Sequence, residues 1–214
     1  MLSLYLMEII SNFAVLEGSD GSGTTTQLSM LSEKLEKTGN PAFFPTFEPS
    51  EGQIGKLIRS VLKKELTVKA QTLAYLFSAD RNEHLNGMGG IMEHINRGEL
   101  VVSDRYVLSS LVYQGIECGD ELPVLLNASF AAPEITIFLD IDPQIALSRM
   151  KSRSSLEIYE YREFQEKVRG KYKSMIEIYR SGGARVEVID ASKSAQEVSD
   201  QVWSIISSMP IFKK

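Results

Sequence analysis

The sequence predicts an α/β fold: a five-stranded parallel sheet with helices on both faces. Two observations predict it. Short β-branched or aromatic runs bounded by turn residues recur along the chain, and segments of helical period lie between them. Parallel strands need long crossovers, usually helical, so strict alternation implies a parallel sheet covered on both sides.

The expected strands are Phe13–Glu17, Ala42–Phe47, Leu100–Ser103, Ile135–Asp140 and Val186–Ile189. The expected helices are Thr25–Lys37, Gln53–Lys64, Ala70–Arg97, Asp120–Phe130, Pro143–Lys151, Glu160–Arg180 and Ala195–Ser208. Within the third of these, Gly87, Gly89 and Gly90 each cost about 1 kcal/mol relative to alanine, so a break is expected near Asn86–Gly90. Ligands of such sheets sit at the carboxyl ends of the strands. The unusual loops fall there: "GSDGSG" after the first strand, "EPSEG" after the second and "DRY" after the third.

Composition narrows the function. The chain has 214 residues, 43% apolar and 24% charged, which suits one globular domain. A formal net charge of −5 argues against gripping a nucleic acid polymer along its length. The single cysteine, Cys118, cannot form an internal disulfide and fits a reducing, cytoplasmic setting. No apolar run approaches the ~20 residues that span a bilayer. Residues 1 to about 11 carry Glu8 and no basic start, and read as a short extension rather than a signal peptide.

The stretch "EGSDGSGTTTQ" follows the apolar run Phe13–Leu16 and precedes Leu28, Leu31 and Leu35 at helical spacing. That setting belongs to a phosphate-cradling loop, G-x-x-x-x-G-K-[ST], whose backbone amides converge on an anion at a helix N-terminus. Gly18, Gly21 and Gly23 supply the backbone, Thr25 stands at the metal-ligand position, and Thr24 replaces the lysine. Taken alone, the loop fits a nucleotide site or a tight turn capped by threonines.

Further elements carry a resemblance. "FAVLEGSDGSGTTTQ", "FEPSEGQIGKLIR", "FSADRNEH", "VVSDRYVLSSLVYQG", "TIFLDIDPQIALSRM" and "VIDAS" resemble, in order, the motifs of the thymidylate kinases. The resemblance runs from residue 13 to about 206, and its D-R-Y-x-x-S-S-x-x-Y-Q element is the most specific part. It implies a single P-loop nucleoside-monophosphate kinase domain over residues 1–214, with a lid at about 150–163, transferring the γ-phosphate of ATP to dTMP with Mg²⁺.

Residue roles follow from the resemblance. The ATP side comprises Gly18, Ser19, Asp20, Gly21, Ser22, Gly23, Thr24, Thr25, Thr26 and Ala191, with Mg²⁺ at Thr25 and Asp104. Arg105 lies between the two phosphates. The dTMP side comprises Phe77 stacking on the base, Arg81 on the base or its phosphate, Ser109, Ser110, Tyr113 and Gln114 around base and sugar, and Arg59 at the monophosphate. Asp20 and Glu48 serve the sugar 3′-hydroxyl and the metal or phosphate.

The lid arginines Arg149 and Arg153 lie at i, i+4 and are the candidates to replace the missing lysine as catalytic cations. Three positions depart from the family pattern: Thr24 for lysine, Ile158 for a lid arginine, and Phe47 for arginine before Glu-Pro. Two alternatives stay open on this reading, a nucleotide-binding pseudokinase and a deoxynucleoside kinase using Glu48 as base toward a 5′-hydroxyl. Members of the family are commonly homodimers, which the resemblance carries over as an expectation.

Overall fold

The computed structural model describes residues 8–39, 41–150 and 162–213; residues 151–161 of the expected lid, with Arg153 and Ile158, lie outside them. The order of elements is β1 (Ile9–Gly18), α1 (Thr24–Thr38), β2 (Phe43–Phe47), α2 (Gln53–Leu62), α3 (Ala70–Asn86), α4 (Ile91–Asn96) and β3 (Leu100–Asp104). It continues with α5 (Val107–Cys118), α6 (Glu121–Asn127), β4 (Ala132–Asp140), α7 (Pro143–Met150), α8 (Arg162–Ser181), β5 (Val186–Asp190) and α9 (Ala195–Ile206).

The five strands form one parallel sheet in the order β2-β3-β1-β4-β5. Its inner strands read as near-continuous apolar runs because both faces are covered. One face packs with Ile58, Leu73, Val112 and Tyr172, and the other with Leu28, Leu31, Leu35 and Val202. From β1 the chain runs out to β2, and from β3 it crosses to β4 on the far side. The loops after β1 and β3 therefore diverge, opening a crevice at the carboxyl ends of these strands. Among the described residues, no helix is long and apolar enough to cross a membrane.

Two boundaries differ from expectation. β1 starts at Ile9 rather than Phe13, so Ile9 and Ile10 of the expected extension pair with Ala132 and Pro133 of β4 instead. The register shifts between Ile10 and Ala14, where Asn12 takes φ 60 and its N–H donates to Glu134 Oε2 at 2.7 Å. The bulge interrupts the strand just before the apolar run Phe13–Leu16, so that run alone does not reveal the true start.

The second difference is α5, which occupies a segment to which the sequence reading assigns no element. Every residue from Val107 to Gly115 is buried, and a helix enclosed all round has no polar face to reveal its period. The expected glycine break is present between α3 and α4. A Cβ on Gly87 would stand 2.5 Å from Glu83 O, and Gly89 takes φ +70.

Candidate active site

A cavity of about 990 Å³ opens at the carboxyl ends of β1, β2 and β3. The loop after β1 forms one wall. Ser22 N–H donates to Ser19 O at 3.0 Å, and Gly21 and Gly23 take φ 81 and 98, so the turn requires glycine at both positions. Gly18 lies beneath the loop, where a Cβ would meet Ser22 Oγ at 2.3 Å. Ser19, Asp20 and Gly21 to Thr26 all line the cavity, and α1 begins at Thr24 with its N-terminus toward that space.

The end of β3 faces this loop. Thr25 Oγ1 donates to Asp104 Oδ2 at 2.6 Å, and Asp104 Oδ1 is buried without a hydrogen-bond partner. Arg105 takes a left-handed backbone at φ 75, fixed by its N–H donating to Leu16 O at 2.8 Å. Its guanidinium pairs with Asp20 Oδ1 and lies over the Tyr113 ring, 5.2 Å from the centroid. Burial works against this charge, but Tyr113 and Asp20 hold the guanidinium above its ordinary range.

The opposite wall is built around Arg81, which is 1% exposed. Its Nε and Nη2 donate to Glu48 Oε2 at 3.0 and 2.6 Å, Nη2 also reaches Ser110 Oγ at 2.9 Å, and Nη1 donates to Asn127 Oδ1. A buried cation needs such pairing, since an unpaired one costs several kcal/mol. Glu48 N–H donates in turn to Asp104 O at 3.0 Å, which ties this wall to β3. Phe77, Leu62, Phe47 and Pro49 add apolar lining, and Tyr113 and Gln114 line the cavity with Gln114 Oε1 buried and unpartnered.

A model of the thymidylate kinase family matches residues 16–202 of the chain. The chain belongs to the thymidylate kinase family. A putative thymidylate kinase of Treponema pallidum is 39% identical over 199 residues, covering 92% of this chain and 95% of the relative. A probable thymidylate kinase of Pyrobaculum aerophilum is 38% identical over 202 residues, covering 94% and 99%. One of Methanocaldococcus jannaschii is 36% identical over 200 residues, covering 92% and 97%.

Within this thymidylate kinase fold, some expected residues stand elsewhere than the motif order suggests. Arg59 donates to Pro49 O at 2.7 Å and is not part of the cavity lining. Arg149 lines the cavity, but its guanidinium donates to Ala191 O at 2.9 Å, Lys193 O at 3.3 Å and Ser192 O at 3.4 Å. These bonds anchor it at the loop after β5, beside Ala191, rather than at Thr24. Ser109 and Ser110 both line the cavity; the Ser109 hydroxyl donates to Glu17 Oε2, 2.5 Å away, and Ser110 Oγ accepts from Arg81.

Glu17 itself was not singled out from the sequence. Its carboxylate is fully buried and accepts Tyr106 N–H at 3.0 Å, Ser109 N–H at 3.1 Å and Tyr172 O–H at 3.0 Å. It thereby caps α5 from a neighbouring strand and braces the segment that carries Arg105. Burial pushes its pKa up to about 7 against the opposing pull of Ser109 and Arg105. Asn127 and Lys193 are not marked by the sequence; nothing local in "LLNAS" or "ASKSA" signals that Asn127 meets the buried Arg81 or that Lys193 lines a cavity built from distant strands.

Proposed function

We propose that this chain transfers the γ-phosphate of ATP to dTMP, giving dTDP and ADP. The observation that carries the reading is the junction at the end of β3. Asp104 is bonded to the P-loop Thr25, and the next residue, Arg105, is paired with Asp20 and set over Tyr113. One dipeptide thus joins the donor loop to the acceptor wall, as transfer between two bound phosphates requires.

In this reading an oxygen of the dTMP phosphate attacks the γ-phosphorus in line. The new P–O bond forms as the bond to the bridging oxygen of ADP breaks. The acceptor oxygen is already ionised near neutral pH, so no strong general base is needed. Arg105 neutralises charge between donor and acceptor, and the loop amides after β1 hold the donor phosphates. Arg81, Ser110 and Gln114 serve the base edge, Phe77 the base face, and Tyr113 with Asp20 the sugar. Arg149 and Ala191 serve the donor base.

The residues present fit Mg²⁺. Asp104 Oδ1 is a buried carboxylate oxygen left without a partner beside the Thr25 hydroxyl. One carboxylate, one hydroxyl and substrate phosphate oxygens are a usual donor set for this ion. Thr25 and Asp104 would hold it, and its chemistry there is cancellation of charge on the phosphates.

The commitment of Glu48 Oε2 to Arg81 speaks against its use as a base toward a 5′-hydroxyl. We extend the proposal to a homodimer, supported by the exposed Leu57, Tyr75 and Leu125 on α2, α3 and α6. A cytoplasmic setting is supported by the free thiol of Cys118.

The test is ADP release with ATP and Mg²⁺ across dTMP, dUMP, dCMP, dGMP, AMP and thymidine. Turnover with dTMP above the others is expected. Nucleotide binding without turnover of any acceptor sinks the enzyme reading, and best turnover with another acceptor sinks the assignment to dTMP.

A further inference from the structure

His84 lies on α3, three residues after Arg81, and is not part of the cavity lining. Its side chain is 8% exposed and faces Glu48, itself 3% exposed. His84 Nε2 is 2.6 Å from Thr46 Oγ1 on β2, and Nδ1 is 3.5 Å from Glu48 Oε1. Both Nδ1 and Oε1 are buried with no hydrogen-bond partner. They are each other's nearest recourse, because Glu48 Oε2 is already taken by two nitrogens of Arg81.

The tautomer follows from this pairing. A lone pair on Nδ1 would set two acceptors face to face in a dry site, whereas a proton there sets a donor against a carboxylate oxygen. The Thr46 hydroxyl then donates to Nε2. The Nδ1–Oε1 separation exceeds the ~2.7–3.2 Å of a formed bond. Such contacts are often long without substrate and tighten when it binds.

We infer that His84 is a positioning residue for the acceptor site: it holds Glu48 by the free oxygen, and Glu48 in turn aims Arg81. This deepens the proposed function and rests on dTMP being the ligand of that wall. Without the imidazole, Oε1 is orphaned and the carboxylate turns. The Arg81 Nη2 shared between Glu48 and Ser110 is then no longer fixed toward the cavity. The donor loop after β1 makes no contact with His84 in this chain of bonds, so ATP binding is separate.

The experiment measures dTMP and ATP affinity by calorimetry, with kcat, for the parent chain, His84→Phe, His84→Asn and Thr46→Val. Loss of one buried hydrogen bond to a carboxylate is worth about a factor of ten or more, so His84→Phe is expected to weaken dTMP about tenfold while ATP changes less than about twofold. In His84→Asn the amide nitrogen takes the place of Nδ1 and keeps dTMP affinity within about threefold of the parent. Thr46→Val frees Nε2 at constant volume and weakens dTMP about threefold.

Unchanged dTMP affinity in His84→Phe overturns the inference. So does a His84→Asn protein as weak as His84→Phe, since bulk rather than a donor would then be what matters. Equal losses for dTMP and ATP also overturn it. Should His84→Phe not fold, Thr46→Val decides alone, and parent-like dTMP affinity in it is the refuting result. Absence of dTMP binding by the parent chain overturns the functional reading along with the inference, which keeps the two failures apart.

Discussion

Replacing Thr24 by lysine is expected to raise kcat by at least about 10², the lower end of what one preorganised donor is worth in the transition state. Thr24 is the first residue of α1, 6% exposed, and lines the cavity. Among the described residues the lining cations are Arg81, Arg105, Arg149 and Lys193. Arg81 is tied to Glu48 and Asn127, Arg105 to Asp20, and Arg149 to the carbonyls of the loop that holds Lys193. Among the described residues, these ties hold Arg81 at the wall around Glu48, Arg105 at Asp20 of the loop after β1, and Arg149 at the loop after β5.

One donor of this kind contributes about 2.7–4 kcal/mol. Against it stands a cation placed at a helix N-terminus, which costs about 0.3–1 kcal/mol until phosphate binds. That cost corresponds to a fall of at most about 4 °C in Tm for a chain of this size. The assay is steady-state ADP release at saturating ATP, Mg²⁺ and dTMP, with Tm measured alongside. A kcat within about threefold of the parent, in a folded variant that binds ATP, refutes the reasoning. Arg153→Ala is the companion variant. If it loses about 10² in kcat while dTMP affinity holds, and Thr24→Lys gains nothing, the charge comes from position 153 instead.

Three other outcomes are expected. Asn127→Ala leaves Arg81 Nη1 buried and unpaired, which costs about 1–3 kcal/mol of stability by urea unfolding and raises the dTMP KM more than the ATP KM. Asp104→Asn should lower kcat by about 10²–10³ and raise the Mg²⁺ concentration for half-maximal rate; a rate near the parent's removes Asp104 from the metal site. Glu17 has a folded pKa of about 7 against an ordinary 4.5, so the folded chain holds the proton more tightly between those values. Its contribution is full below pH 4.5 and is lost as pH rises through 7. Relative to Glu17→Gln, the parent should lose about 3 kcal/mol of stability over that window, and a constant gap refutes the assignment.

Much of the architecture was legible because its causes are local. Apolar runs such as "FAVL" and "TIFL", separated by helical periods, dictate covered parallel strands, and all five appear within a few residues of their expected places. The helix break at Gly87–Gly90 was legible for the same reason, since glycine weakens a helix whatever surrounds it. The end of α5's loop was readable as a motif, yet α5 itself was not. Burial on all sides from Val107 to Gly115, with the polar Ser109, Ser110 and Gln114 buried among the apolar residues, removed the amphipathic period on which recognition of a helix depends.

The candidate site divides along the same line. "EGSDGSGTTTQ" taken alone fits a phosphate loop or a capped turn, and it is its setting between an apolar strand and a helical run, together with "DRYVLSSLVYQG", that favours the first. Which groups those residues meet is a property of the tertiary structure. Glu17 reaches across 92 positions to cap α5, Asn127 and His84 arrive from separate helices to fix Arg81 and Glu48, and Arg149 is drawn to the loop after β5. Sequence determined the kind of chemistry available at each position. The crossing order of the sheet decided which of those positions share one cavity, since contacts between distant strands follow from chain topology and not from neighbours in the chain.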